Sequence, residues 1–104
     1  MQFYSAGGEF LMGNTIDLPI SITGVEDTAF PVWLRFELID RYGVRHEFVE
    51  KAPVLFEGAV PISFPFAATI ACEVRERHET YLVVTTASPL GIASVDGLTE
   101  FECG

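Results

Sequence analysis

Basic residues are scarce in this chain and confined to its middle. Only six of its 104 residues are Lys or Arg, against fifteen Asp or Glu, for a net charge of −9. Lys51 is the single lysine, all six cations lie between Arg35 and Arg77, and both ends of the chain lack them. Phosphate backbones are gripped by clustered positive charge, so direct nucleic-acid binding is not expected. Glycines are scattered as turn residues and form neither GxxxxGK[ST] nor GxGxxG, which excludes nucleotide binding through a standard phosphate loop. No apolar run approaches the ~18 residues of a membrane helix. The start, Met1-Gln2-Phe3-Tyr4-Ser5, lacks the basic residues and long apolar stretch of a signal peptide, so a soluble cytoplasmic protein is expected. There are two cysteines, Cys72 and Cys103. In a cytosolic setting they read as thiols, with Cys72 a small core residue and Cys103 at an exposed end.

What is present points to a packed core. Apolar residues make up 49% of the chain and nine residues are Phe. Roughly 100 residues suit one domain, here residues 1–104, which removes about two-thirds of its unfolded surface from water. No long helical period occurs, whereas period-two patterns and turn signals recur at short intervals. The sequence therefore predicts an all-β fold, either a small antiparallel sandwich or a partly open barrel. It would have about eight or nine short strands joined mainly by hairpins.

The clearest alternation is Ile16, Leu18, Ile20, Ile22, with polar residues between. Pro19 cannot donate to a ladder, so this strand is expected at an edge or with an irregularity there. Before it, Phe3 to Ala6 and Phe10 to Met12 are candidates to pair across Gly7-Gly8. Asp40-Arg41-Tyr42-Gly43 has Asp and Gly at the first and fourth positions of a type I turn, with Gly43 suited to a G1 bulge. That register sets Leu38 opposite His46, Phe36 opposite Phe48 and Leu34 opposite Glu50. Trp33 then lies opposite Lys51, within cation–π reach. A one-residue slip would flip every side chain of one strand. The prolines from Pro53 to Pro65 argue against a central strand there and predict short strands or a loop over the core. A second hairpin places Ala68, Ile70, Cys72 and Val74 inward, with Arg75 to Glu79 as its turn. Asp96-Gly97 signals a type I′ turn that would pair Val95 with Leu98 and Ile92 with Phe101.

No catalytic motif emerges. Arg45-His46-Glu47 and Arg77-His78-Glu79 look metal-like, but adjacent strand residues point to opposite faces and cannot converge on one ion. His46 reads instead as a semi-buried hydrogen-bonded residue and His78 as a solvated turn residue. A thiolate nucleophile needs a base and an electropositive setting, and nothing around Cys72 supplies them. No cofactor or metal is expected, and the balance leans away from an enzyme.

The charge pattern instead suits a basic protein partner, since attraction steers encounter. The expected function is a non-enzymatic acidic binding module, in its sharpest form an inhibitor or immunity-type protein masking a basic surface. The acids proposed to carry it are Glu9, Asp17, Glu26, Asp27, Asp96, Glu100 and Glu102, with Trp33 and Tyr42 as aromatic contacts. One alternative is a small-ligand-binding barrel or unfamiliar enzyme with a pocket near His46 and Cys72. Another is a structural homo-oligomer joined through an edge strand such as Thr15 to Thr23.

Overall fold

The computed structural model describes residues 14–61 and 63–104. Glu9 and the two segments flanking Gly7-Gly8 lie outside them. Six strands are present among the described residues: β1 (Thr15–Asp27), β2 (Trp33–Ile39), β3 (Arg45–Lys51), β4 (Phe66–Arg77), β5 (Leu82–Pro89) and β6 (Glu100–Cys103). One four-residue helical turn, α1 (Ala52–Leu55), follows β3. All strand pairings are antiparallel, in the order β3-β2-β1-β4-β5-β6. The sheet curls into a half-barrel rather than a sandwich, and the expected eight or nine strands are not reached among the described residues.

Alternation builds the core. Leu18, Ile20 and Ile22 of β1 are buried against Ile70, Cys72 and Val74 of β4, and Leu34, Phe36 and Leu38 of β2 against Phe48 of β3. The first hairpin has the register its turn predicts: Trp33 opposite Lys51, Phe36 opposite Phe48, Leu38 opposite His46. Its turn closes by Gly43 N–H to Asp40 O and Asp40 N–H to Val44 O, each 3.0 Å. Gly43 sits at φ +81°, where a side chain would be strained. The prolines of the next segment do suppress strand: after α1, Phe56, Val60 and Phe64 pack against the core from a segment without regular structure.

Two expectations are corrected. The Pro19 strand is central, between β2 and β4. Its 13 residues outrun β2, which pairs only from Ser21 to Asp27, so Pro19 needs a ladder partner on the β4 side alone, at Thr69. Edge character is here a property of part of a strand. The second correction concerns the C-terminal hairpin. Asp96-Gly97 does not close a two-residue loop. Gly97 N–H bonds Ser94 O and Ser94 N–H bonds Leu98 O, both at 2.8 Å, which repeats the build of the Asp40 turn. Ile92 to Val95 forms no strand, and β6 pairs with β5 instead, Phe101 opposite Val84. Cys103 is consequently buried rather than exposed.

The two outer strands approach each other along a seam. Outside, Arg41 N–H donates to Glu102 O and Val95 N–H to Glu47 O, each 2.8 Å. Inside, the Phe101 ring lies 4.8 Å from His46 and 5.7 Å from Phe48 between centroids. Beside the seam, the buried Thr86 hydroxyl donates to Ile92 O at 2.7 Å. Thr86→Val keeps the shape and strands that carbonyl, so chemical denaturation should show a loss of about 1–3 kcal/mol.

Candidate functional site

Closing the sheet gathers acids that are far apart in sequence. Glu37 of β2 and Glu47 of β3 are direct cross-strand partners. The Val95–Glu47 hydrogen bond places Asp96 one residue beyond the other side of the seam. On β6, Phe101 and Cys103 are buried, so the alternate residues Glu100 and Glu102 point outward. Glu100 is opposite Thr85, a buried residue that is itself opposite Glu73 of β4. No ion pair engages Glu37, Glu47, Asp96 or Glu100 among the described residues.

Glu102 differs from the others because it is already engaged. It accepts from the Tyr42 hydroxyl at 3.0 Å and pairs with the Arg41 guanidinium at 3.5 Å. Tyr42 is 68% exposed, and its hydroxyl pKa is raised above the ordinary value chiefly by that bond to Glu102. Arg41 also lies over the Tyr81 ring at 3.9 Å, and Tyr81 stacks on His78 at 4.4 Å. His78 in turn meets Glu76 at 2.8 Å. This chain of contacts ties the Asp40 turn to the β4–β5 turn.

The remaining sequence-predicted residues do not join this surface. Asp17 and Asp27 stand near opposite ends of β1, ten positions or about 33 Å apart along the strand. Glu26 pairs with Arg35 at 3.4 Å, and the Asp27 carboxylate accepts from Ala29 N–H at 2.9 Å. Trp33 lies at that same end, half-buried, with the Lys51 ammonium 5.8 Å from its ring. Glu37, Glu47 and Glu73 were not among the acids singled out from sequence. The first two were nonetheless implicit there, because Phe36 opposite Phe48 forces Glu37 opposite Glu47.

The polar groups of the interior are committed elsewhere. His46 Nε2 bonds Asp40 Oδ2 at 2.8 Å, with both side chains largely buried. The Cys72 thiol is pushed up to about 11, first by burial and then by Cys103 nearby. Cys103 is raised by burial and by Asp40. Both thiols stay protonated near neutral pH, the wrong state for a nucleophile. Surface clefts among the described residues include one of about 270 Å³ beside Pro19, Glu37, Ile39 and Cys103, one of about 470 Å³ beside Thr23, Glu37, Arg45 and Phe64, and one of about 230 Å³ beside Phe30, Val32 and Phe56. His46 and Cys72 line none of the three. No helix among the described residues is long and apolar enough to cross a membrane. No protein-family model matches the chain, nor does any curated protein or solved structure.

Proposed function

We propose that this protein is a non-enzymatic binding module for a basic protein, of inhibitor or immunity type, and that the acids along the seam make the contact. The observation that carries this reading is the Glu37–Glu47 pair. Like charges directly opposite on adjacent strands cost stability. Here no Lys or Arg among the described residues lies within ion-pair distance of either carboxylate. Departures from local rules concentrate at functional sites. Lys or Arg side chains of a partner, laid between Glu37, Glu47, Asp96 and Glu100, would relieve that repulsion and gain from it. The net charge of −9 would draw such a partner in from solution, with a rate that falls as salt rises. Tyr42 adds an exposed aromatic beside the acids, a residue type enriched at binding hot spots.

The test is capture from a lysate of the native host at low and high salt, by the wild type and by the triple variant Glu47→Lys, Asp96→Lys, Glu100→Lys. Glu102 is left in place because it holds Arg41 and Tyr42. The wild type should retain one basic protein, less of it at high salt, and the triple variant should retain none. Asp17→Lys, outside the seam, should bind as the wild type does. Equal capture by the triple variant would remove the seam from the reading.

A further inference from the structure

At the end of the half-barrel where β1 runs into β2, the surface turns apolar. Phe30 is 98% exposed, an extreme value for an aromatic side chain. It borders the cleft of about 230 Å³ whose other walls include Pro31, Val32, Pro53, Phe56 and Val60. Phe66, 40% exposed, adds an edge-on contact to Phe56 at 6.0 Å. Contiguous exposed apolar surface of this kind marks interaction sites. The cleft is smaller than the roughly 300–1,000 Å³ typical of small-molecule sites, and has room for about one side chain.

Charge decides what that side chain belongs to. Glu57 lines the cleft, Glu50 lies half-buried just before α1, and Glu26 and Asp27 lead into the Phe30 loop. The cations of this end are engaged, Arg35 with Glu26 and Lys51 over Trp33. Two copies meeting here would bring two acidic mouths together, which opposes self-association. A segment carrying Lys or Arg around its apolar side chain meets no such opposition. From the cleft to Glu47 is five positions along the β3 hairpin strand, about 17 Å, a distance that an extended segment of similar length spans.

We propose that this cleft is the anchor site for the partner: it takes one aromatic or aliphatic side chain from a protein segment in which Lys and Arg flank that side chain. This rests on the reading of the protein as a module for basic partners and adds the apolar element that sets specificity. Acids along the seam supply attraction, and the cleft supplies register.

The probe is the synthetic peptide acetyl-Lys-Arg-Lys-Phe-Lys-Arg-Lys-amide, followed by amide shift mapping and fluorescence anisotropy at low salt. Controls replace Phe by Ala, or every cation by Glu. The Phe peptide should shift the amides of Val32, Ala52, Phe56 and Gly58. The Ala peptide should bind at least about tenfold more weakly and leave those amides in place, and the Glu peptide should not bind. Phe30→Ser, at a fully exposed position, should weaken the Phe peptide about fivefold without changing the melting temperature or the Ala peptide. Glu57→Gln should weaken both basic peptides. Equal binding of the Phe and Ala peptides would overturn the anchor while leaving the acidic reading standing. If neither basic peptide binds, both fall. Binding of the Glu peptide as tight as that of the Phe peptide would remove the charge selection. A wild-type dimer that Phe30→Ser dissociates would assign the cleft to a second copy instead.

Discussion

Replacing Phe48 by Ala should cost about 3–5 kcal/mol. Phe48 is fully buried, and its ring stacks on Phe36 at 4.9 Å with 6° between planes. It also touches Phe101 of β6, across the seam. Truncation thus leaves a void beneath the seam, between the Phe36 and Phe101 rings. The loss is a large share of the roughly 5–15 kcal/mol that stabilises a small domain. For a chain of this size it should lower the melting temperature on the order of 15–30 °C. Phe48→Leu, which keeps most of the volume, should cost much less. Urea titration of the three proteins checks this, and a loss below about 1 kcal/mol for the Ala variant would mean that the interior repacks freely.

A second large effect is expected at Asp40, whose carboxylate carries three hydrogen bonds. Oδ1 accepts from Tyr42 N–H at 2.8 Å and Val44 N–H at 3.0 Å, and Oδ2 meets His46 Nε2 at 2.8 Å. Asp40→Ala removes the cap of the hairpin turn and leaves the half-buried imidazole without that partner, and the melting temperature should fall clearly. Acidification gives an independent handle. The Asp40 pKa is lowered from 3.8, first by the His46 hydrogen bond and further by the Val44 and Tyr42 amides, against an opposing push from burial. A carboxyl with a depressed folded-state pKa contributes stability that is fully present above its unfolded value and is lost as pH falls through the lower folded value. The gap in melting temperature between wild type and Asp40→Asn should therefore be present above the unfolded-state carboxyl value. Below about pH 3.8 it should narrow as the wild-type carboxyl protonates. A gap that does not change with pH would show that the carboxylate's charge contributes nothing.

The first hairpin was legible because two local signals agree. Asp40 and Gly43 define the turn, and the alternation of Leu34, Phe36 and Leu38 with Phe48 fixes the face. The inward placement of Ile70, Cys72 and Val74, and the hydrogen-bonded state of His46, followed from the same periodicity. What failed was non-local. Pro19 signals a missing donor, but whether its strand lies at an edge depends on how far β2 extends beside it. Asp96-Gly97 signals a turn, but Ser94 supplies a competing closure by accepting from Leu98 N–H through its hydroxyl. Strand β6 then prefers β5, where Phe101 finds Val84. The acids followed the same division. That Glu37 faces Glu47 could be read from the hairpin, whereas their proximity to Asp96 and Glu100 required the sheet to curl. The dispersal of Asp17, Glu26 and Asp27 reflects the length of β1, which a count of charges at the chain ends does not contain.

The seam also implies an order of assembly. The hairpins join residues a few positions apart, and such contacts form early because little chain entropy is lost in closing them. Arg41 and Glu102 are 61 residues apart. Their contact, and that of Val95 with Glu47, joins the two ends of the strand order and is favoured once the equally non-local pairing of β1 with β4 has brought those ends together. The curl is therefore expected to be acquired last in folding and surrendered first under stress, with a flat, open sheet as its immediate precursor. Until that step, Phe48 and Phe101 face solvent on the two outermost strands, so the interval before closure is when this chain is most exposed to sticking to others of its kind.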